Sequence, residues 1–451
     1  MAVALLMGLF LTACSNHQAS NQTFEQQLKQ NFCGEDFFKQ NEEKIKKKDD
    51  VIYTGINTGS IARSCAQFEK SNFFFNAAEE SYKTDVDLKN PVAKGAKVAV
   101  GALLNETLMD YDGSLYERIM VNVYKGLNYL ELKEFDEARV EFNRALERQN
   151  KAKQYFAKQI QKDKEEQEKA KKDPNYKENM GKNTQTIMSE YDKMFSGEFK
   201  AQKNFTNPYA TYLASIFFLL DKDYKKAADL FKEVAATHTN KEFASERKVF
   251  NSYAKSVKPD KLAKHIFVVY EDGFGAVKDE FSLTLPFVVS KNISSVPVAL
   301  QTLKKRAPSY EKVFVNGEVT SQLTNFDDIV ATEFKIEMPS MIAKALASTI
   351  IKTTLNTVVA EQADNDLVGG LLSVGTSAAT SALTKADVRS WQSLPKTASV
   401  KMIKNTGKLE VKSHTGITLA QKELPKDKNV LVIVRSYSPD LEAKINIIEG
   451  R

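Results

Sequence analysis

The stretch that decides the fold is YKGLNYLELKEFDEARVEFNRALE, residues 124–147. Its apolar residues recur with the 3.6-residue period of a helix on both sides of a turn at Phe135, so the stretch predicts two antiparallel helices. Small residues let the two helices approach each other, and aromatic residues fill the groove toward neighbouring pairs. The residues in these packing positions are Gly126, Tyr129, Ala138, Phe142 and Ala145.

The same pattern occurs in LASIFFLLDKDYKKAADLFKEVA, residues 213–235, and more weakly in SCAQFEKSNFFFNAAEES, residues 64–81. The equivalent positions are Ser215, Phe218, Tyr224, Ala227, Phe231 and Val234 in the first stretch, and Phe68, Phe74 and Ala77 in the second. The pattern resembles the tetratricopeptide repeat, whose helix pairs build an extended concave surface that binds peptides or proteins. We therefore expect an all-α repeat domain over residues 25–258, with a plain helical bundle as the alternative.

A charged segment, residues 147–182, separates the second copy from the third. It predicts a solvent-exposed helix that runs to about Lys172 and ends at Asp173-Pro174. The whole chain has 64 Lys and Arg residues against 58 Asp and Glu, a net charge of +6 that is spread along its length. Nucleic-acid binding requires a concentrated basic surface, so we expect no nucleic-acid partner.

The periodicity changes after residues 256–261, a predicted linker, and residues 262–451 predict a mainly antiparallel β domain. Runs such as HIFVVYE, EFSLTLPFVV and NVLVIVRSY are rich in β-branched residues. Asn316-Gly317 is typical of a tight hairpin turn. With the helical domain before it, this half makes the predicted fold class α+β.

Residues 327–384 predict a helical hairpin inserted between the two groups of strands. Its first helix contains Pro339, where we expect a break. The second helix, 367–383, has no charged residue and is rich in Gly, Ala, Ser and Thr. Such a helix either packs in the interior or contributes a membrane contact or a homo-oligomer contact.

The N-terminal residues 1–13, MAVALLMGLFLTA, form the apolar block of a secretory signal peptide. The sequence LTAC resembles a bacterial lipobox, which implies that Cys14 becomes the lipidated first residue of the mature protein. Ser15 follows the cysteine, where inner-membrane lipoproteins carry Asp, so the resemblance favours the outer membrane and its periplasmic side. Residues 14–24 then predict a lipid anchor and a short tether. The alternative is an ordinary buried N-terminus.

The other cysteines are Cys33 and Cys65. In an oxidising periplasm they could form a disulfide. The alternative is that both are reduced and buried.

The best candidate site is Glu271-Asp272-Gly273, two carboxylates on a predicted turn. Paired carboxylates serve acid–base catalysis or Ca²⁺ binding, whereas the same residues also suit a strand-connecting turn or a loop that binds a partner. The four histidines lie singly, without neighbours at metal-ligand spacing, so we expect no metal and no cofactor.

One further resemblance covers most of the mature chain. VVYEDGFGAVKDEFSLTLP (268–286), SVPVAL (295–300) and ADVRSWQSLP (386–395) resemble segments of a group of uncharacterised bacterial lipoproteins. The group has a tetratricopeptide-like helical half followed by a β-rich half. This resemblance implies architecture and location but no chemistry.

The sequence therefore predicts a non-enzymatic scaffold of the bacterial cell envelope, anchored to the outer membrane by its lipid. We expect the scaffold to bind an envelope protein in the concave groove of its repeats. Two alternatives stay open. One is a self-assembling envelope or appendage subunit that uses residues 367–383, and the other is a cell-wall hydrolase or transferase that uses Glu271 and Asp272.

Overall fold

The chain is described by a computed structural model, which covers residues 17–83, 110–170, 181–201, 206–238, 240–289, 292–363 and 385–451. Helices fill the N-terminal half, and sheets with one long helix fill the C-terminal half, so the fold is mixed α+β as predicted. The helices are His17–Lys29 (α1), Glu35–Lys46 (α2), Val51–Ser64 (α3), Phe68–Ser81 (α4), Leu115–Glu131 (α5), Phe135–Ala170 (α6), Lys182–Phe195 (α7), Pro208–Leu220 (α8), Tyr224–Thr237 (α9), Lys241–Lys255 (α10) and Phe326–Ala363 (α11).

The three sequence copies correspond to three helix hairpins, α3–α4, α5–α6 and α8–α9, and all three have the same turn. In each turn the residue two positions before the aromatic start of the second helix has a positive φ. These residues are Ala66 at 55°, Lys133 at 63° and Lys222 at 63°. The next N–H then bonds the carbonyl five positions earlier, as in a Schellman motif. The three bonds are Gln67 to Ala62 at 2.9 Å, Glu134 to Tyr129 at 2.8 Å and Asp223 to Phe218 at 2.8 Å.

The packing positions taken from the sequence lie where the helices of a pair meet. A Cβ atom on Gly126 would lie 2.9 Å from the ring of Phe142, so only glycine lets α5 and α6 approach this closely. The Phe142 ring in turn stacks on Phe217 of the next pair, with ring centroids 4.8 Å apart. Tyr129 and Tyr224 are half-buried. The other named positions of these two pairs are buried: Gly126, Ala138, Phe142, Ala145, Ser215, Phe218, Ala227, Phe231 and Val234.

The strands form a five-stranded sheet, a four-stranded sheet and a separate hairpin. They are His265–Asp272 (β1), Val277–Val289 (β2), Asn292–Lys304 (β3), Val313–Val315 (β4), Glu318–Val319 (β5), Ser321–Asn325 (β6), Thr397–Lys404 (β7), Lys408–Ser413 (β8), Thr418–Glu423 (β9), Val430–Ser436 (β10) and Lys444–Glu449 (β11). The larger sheet has the order β11-β10-β1-β7-β6, and the smaller one has the order β5-β4-β8-β9. The two central strands β1 and β10 run parallel, while the other described pairs are antiparallel.

The five-stranded sheet is buried on both faces. Along β1, Phe267 and Val269 belong to the core that the sheet shares with the helices, whereas Val268 and Tyr270 belong to the core beneath the four-stranded sheet. This alternation follows from the two-residue period of a strand. It explains why β1 is a continuous apolar run, since both faces of the strand need apolar side chains.

The helical layer and the sheet layer share one hydrophobic core. The first helix of each hairpin, α3, α5 and α8, is buried along almost its whole length. The second helices cover these inner helices on one side, and the β half covers them on the other. The chain passes from one layer to the other through the short 3₁₀ helix Pro259–Lys261. A helix that is covered on both sides needs apolar residues all around it, and the sequence of α8 has this pattern.

The prediction that residues 14–24 form a lipid anchor and a tether is wrong for residues 17–24, the part of this segment that the structure describes. Helix α1 begins at His17, and Phe24 is buried in the main core. Phe24 packs edge-on against Tyr53, with ring centroids 5.4 Å apart. The segment is polar enough to resemble a tether, but its few apolar side chains have partners on α3. The lipidation candidate Cys14 lies outside the described residues.

The predicted break at Pro339 is also wrong, because α11 continues through this residue to Ala363. Met338 and Ile342 on either side of the proline are buried in the shared core, so packing holds both parts of the helix in place. A proline inside a helix removes one hydrogen bond and costs about 3 kcal/mol. Burial of Met338 and Ile342, at about 1.5–3 kcal/mol each, offsets this cost. The second helix of the predicted hairpin 327–384, residues 367–383, lies outside the described residues.

Candidate functional site

Glu271, the first candidate acid, points from β1 into the helical layer. It is 3% exposed, and its carboxylate accepts hydrogen bonds from the hydroxyls of Tyr209 and, at 3.4 Å, Tyr124. The guanidinium of Arg435, its cross-strand neighbour on β10, lies 3.6 Å away. Glu271 is therefore a buried, fully engaged carboxylate that connects the sheet to helices α5 and α8.

Asp272, the second candidate acid, points to the opposite face. One carboxylate oxygen accepts the Tyr270 hydroxyl at 2.9 Å and the backbone N–H groups of Ser309 at 2.9 Å and Tyr310 at 2.8 Å. Burial raises the pKa of Asp272 in spite of these hydrogen bonds. Gly273 follows with a φ of 56°, and a Cβ there would lie 2.7 Å from Pro308.

The two carboxylates therefore lie at the end of a strand and not on the predicted turn, which begins after them at Gly273. Both residues belong to strand β1, and consecutive strand residues face opposite sides of a sheet. Beside Glu271 the protein leaves a cavity of about 30 Å³ between Tyr124 and Arg435. Such a volume admits about one or two water molecules, not a polysaccharide.

An irregular segment, residues 386–395, packs against helices α3 and α5; we call it the clasp. Trp391 donates its indole N–H to Ser60 of α3 at 2.6 Å and its backbone N–H to Glu117 of α5 at 2.8 Å. On the other side Arg435 donates to the carbonyl of Ser393 at 3.0 Å. Residues 387–395 are all buried, although they form neither helix nor strand.

The clasp occupies the face of α3 and α5 that lies toward the β half. A backbone without regular secondary structure can be buried there because side chains of the helices satisfy its polar groups, as Asn57 does for the N–H of Gln392 at 2.8 Å. The expectation that a partner binds in a groove of the helix pairs stays a prediction.

Cys33 and Cys65 form a disulfide. Cys33 lies just before α2 and Cys65 at the end of α3, and their Cα atoms are 5.9 Å apart. The bond connects the N-terminal helices to the first helix pair. Sequence spacing alone does not decide between this pairing and two reduced thiols.

A second opening among the described residues lies along the edge strand β6; we call it the edge groove. It has a volume of about 400 Å³. Its lining residues come from the start of α8, the end of α9, strand β6 and the start of α11: Thr206, Pro208, Thr237, His238, Gln322, Leu323, Thr324, Asn325 and Asp328. Most of these side chains are polar, and the groove lies where the helical and β halves meet.

His238 forms one wall of the edge groove. One ring nitrogen, Nε2, lies 2.6 Å from the carbonyl oxygen of Leu323, and Nδ1 lies 3.0 Å from that of Val234. The imidazole also packs on Phe243, with ring centroids 4.6 Å apart. The histidine thus connects the C-terminal end of α9 to the outer edge of β6.

Two further groups define the polarity of the edge groove. Thr324 is 5% exposed, and its hydroxyl has no hydrogen-bond partner among the described residues. Asp328 accepts the backbone N–H of Lys200 at 3.0 Å, and partial burial raises the pKa of this aspartate. The sequence offers no signal for this site, because its residues come from two stretches, 206–238 and 322–328, that meet only in the folded chain.

The described residues offer few other features that indicate a function. They contain no group of three His, Cys, Asp or Glu side chains that could hold a metal ion. Among the described helices, none combines the length and apolar character needed to cross a membrane. In comparisons with protein-family models, curated proteins and solved structures, the chain matches none of them. The resemblance to bacterial lipoproteins therefore stays a prediction.

Proposed function

We propose that the protein is a non-enzymatic, protein-binding scaffold of the bacterial cell envelope, held at the periplasmic side of the outer membrane by lipid on Cys14. Its helix pairs, which we interpret as tetratricopeptide-like, act as a rigid frame. The observation that carries the proposal is the edge groove, an open polar site at the junction of the two halves. We assign to this groove the partner-binding role that was expected, from the sequence, for the concave face of the repeats.

Two properties of the edge groove support a binding role. Its volume of about 400 Å³ falls within the range of known ligand sites. Its walls belong to α8, α9 and β6, which pack into one shared core, so the site needs little ordering when a partner binds. Pre-organisation of this kind lowers the entropic cost of association.

Two observations support the envelope location. LTAC at 11–14 follows an apolar block in the order that lipidation requires. The Cys33–Cys65 disulfide is of a kind that persists in oxidising compartments such as the periplasm. A lipid anchor with two or three chains gives stable membrane attachment without a membrane-spanning helix.

The geometry of the two candidate acids supports a binding role over hydrolysis or transfer. Glycoside hydrolysis uses two carboxyl groups that flank one bond. Glu271 and Asp272 lie on opposite faces of β1, and each is surrounded by its own hydrogen-bond donors. We therefore do not propose a cell-wall hydrolase or transferase.

Crosslinking in intact cells tests the proposal, with the native protein compared with Gln322→Arg in the edge groove. Gln421→Arg is the matched control, because Gln421 is also an exposed glutamine on an edge strand, β9. We expect one discrete envelope protein to be captured by the native chain and by the control, but not by Gln322→Arg. Capture of this chain alone would instead establish the self-assembling alternative, and capture of nothing would reject both.

A further inference from the structure

We propose that the small cavity beside Glu271 is a binding site for a carboxylate group, which Arg63 and Lys444 hold by their charge. We call this site the basic cavity. The inference goes beyond the scaffold role, because the basic cavity shares no lining residue with the edge groove.

The basic cavity lies where the end of α3, the middle of α5 and the strands β10 and β11 meet the clasp. Its lining residues are Ser60, Arg63, Ser64, Tyr124, Glu271, Ser393, Arg435, Tyr437, Lys444 and Asn446. Six of them are buried, and the other four are half-buried: Arg63, Ser64, Lys444 and Asn446. One side of the cavity therefore lies at the protein surface, and a ligand reaches the cavity from that side.

The first argument is the charge of the lining. Arg63, Arg435 and Lys444 are cations, whereas Glu271 is the one anion among the lining residues. The Glu271 carboxylate lies 3.6 Å from the guanidinium of Arg435 and already accepts two tyrosine hydroxyls, so it compensates this cation only. Charges that are partly removed from water are unfavourable without a counter-charge, so the cavity favours an anion.

The second argument is that Arg63 and Lys444 form no ion pair with a carboxylate of the described chain. Arg63 donates to the side-chain oxygen of Asn128, and its guanidinium lies 5.8 and 5.5 Å from the centres of two aromatic rings. The ammonium group of Lys444 has no polar partner within the described ranges, and Lys444 lies directly opposite Arg435 in the pairing of β10 with β11. Like charges in opposite strand positions repel each other. An anion in the cavity that both residues line offsets this repulsion.

Glu131 is a further acid close to Arg63. Burial raises the pKa of Glu131, although the charge of Arg63 opposes this effect. The residue is not part of the cavity lining, so its carboxylate leaves the cavity open.

The third argument is size. The cavity volume of about 30 Å³ admits about one or two water molecules, which matches the two oxygens of a carboxylate. The rest of the ligand then stays outside the cavity. A guanidinium binds a carboxylate through two parallel N–H donors, which adds strength and geometric specificity. A phosphate group has more oxygens and is too large for the same space.

The first test uses Trp391, the one tryptophan of the chain, as a fluorescent reporter. Its indole nitrogen lies 2.6 Å from the hydroxyl of Ser60 and 2.8 Å from that of Ser393, and both serines line the cavity. Acetate is titrated into the full-length protein extracted in detergent, with sodium chloride holding the ionic strength constant. We expect a saturable change of fluorescence with acetate, none with the uncharged isostere acetamide, and a weaker response to phosphate. The absence of a saturable change, or equal responses to the three compounds, would overturn the proposal.

The second test removes the cations one at a time. Arg63→Gln and Lys444→Gln should each weaken acetate binding by at least about tenfold, the effect of one lost hydrogen bond to a charged group. Arg247→Gln and Lys422→Gln are the matched controls, because both side chains are exposed. The controls should keep the affinity of the native protein. If all four variants bind acetate equally well, the basic cavity is not the acetate site.

The thermal midpoint of Lys444→Gln distinguishes a binding residue from a structural one. Without acetate, the midpoint should be unchanged or higher than in the native protein, because the repulsion with Arg435 is relieved. Acetate should raise the midpoint of the native protein by mass action and leave that of the variant where it is. A variant that is less stable without acetate and still responds fully to it would show that Lys444 is structural.

The carboxylate comes either from a free small acid or from a bound protein, and crosslinking separates the two sources. The photo-crosslinking residue p-benzoylphenylalanine is placed at Ser64, on the surface side of the cavity, in the lipidated protein in cells, with Lys422 as the control position. A single protein crosslinked at Ser64 alone identifies a protein carboxylate, whereas acetate binding without a crosslinked protein identifies a free acid. If acetate does not bind, the basic cavity fails under both sources, and the scaffold, which is tested at the edge groove, stands.

Discussion

The indole Nε1 of Trp391 lies 2.6 Å from the hydroxyl oxygen of Ser60, so the clasp of the β half is hydrogen-bonded into the centre of the first helix pair. The two residues are far apart in sequence, and each is buried. The Trp391 ring also contacts Tyr124, with centroids 5.8 Å apart. One side chain thus packs against two helix pairs and connects both layers of the fold.

Replacing Trp391 should therefore destabilise the whole protein rather than one half. We expect Trp391→Ala to lower the free energy of unfolding by about 3–5 kcal/mol, because it leaves a large cavity in a shared core. Urea denaturation followed by circular dichroism measures this change, and helix and sheet signals should be lost together. Val257→Ala, at a side chain that is 95% exposed, is the control. Separate transitions for the two halves would contradict the shared core.

A buried ionic cluster holds the second hairpin to the first. Lys125 lies 2.9 Å from Glu141 and also donates to Glu79, and all three side chains are at most 4% exposed. Burial alone would raise the pKa of Glu79, but Lys125 and its neighbours lower it to about 2. The cluster therefore stabilises the fold above about pH 4.5, and this contribution is lost as the pH falls toward 2.

Lys125→Met should cost about 3 kcal/mol, the lower end of the cost of breaking a buried ion pair, because Glu79 and Glu141 lose their buried cation and keep only the more exposed Arg144 and Arg148. Chemical denaturation at neutral pH gives the difference. Lys151→Met, which removes an exposed pair with Glu147, is the matched control and should change little. If the two variants lose equal stability, the cluster contributes no more than a surface ion pair.

The start of α5 depends on a carboxyl group of α11. Glu333 accepts the backbone N–H groups of Leu115 and Tyr116 at 2.6 and 3.1 Å. Burial and the nearby Glu337 raise the pKa of Glu333 to about 8 from its ordinary 4.5. Because the folded protein binds this proton more tightly than the unfolded chain, the group stabilises the fold at low pH, and the contribution is lost as the pH rises from about 4.5 to 8.

Glu333→Gln should therefore flatten the decline of stability between about pH 5 and about pH 8, since the carboxamide does not ionise. The free energy of unfolding is measured across this range for both proteins. Glu311→Gln, at an exposed side chain, should leave the slope of the native protein unchanged. Parallel pH profiles for the native protein and Glu333→Gln would contradict the prediction.

Local patterns were enough to predict much of the architecture. The helix hairpins follow from a 3.6-residue period and small residues such as Gly126, and the turn at Asn316 follows from a residue pair that tolerates positive φ. Both signals depend only on nearby residues. The change from helix to sheet near residue 260 is also visible locally, because the spacing of apolar residues changes from the helix period to the strand period.

Features made by distant residues could not be predicted in this way. The clasp is polar and has no helix or strand of its own, and side chains of distant helices such as Asn57 and Glu117 satisfy its backbone. In the sequence, Glu271 and Asp272 resemble part of a turn. In the structure both belong to β1, because the pairing of β1 with β10 continues as far as Asp272. The edge groove brings Thr324 toward His238 through tertiary packing alone, so no spacing in the sequence marks it.

Reducing the Cys33–Cys65 disulfide should lower stability by about 3–4 kcal/mol, the chain-entropy effect of opening a loop with a sequence separation of 32 residues. Unfolding of the oxidised protein with and without reductant gives the difference. The double variant Cys33→Ser, Cys65→Ser should match the reduced protein and no longer respond to reductant. A response that persists in this variant would show that reduction acts elsewhere.

Replacing Cys14 tests the membrane anchor, since its thiol is the only proposed attachment point for lipid. Two or three acyl chains hold a protein stably at a membrane, whereas an unlipidated chain has only its surface contacts. We expect Cys14→Ser to move the protein from the membrane fraction to the soluble periplasmic fraction, measured by cell fractionation and immunoblotting. Cys33→Ser is the matched control, because it removes a different cysteine and should leave the protein at the membrane. Membrane association of Cys14→Ser at the native level would reject the anchor and point to another membrane contact in the chain.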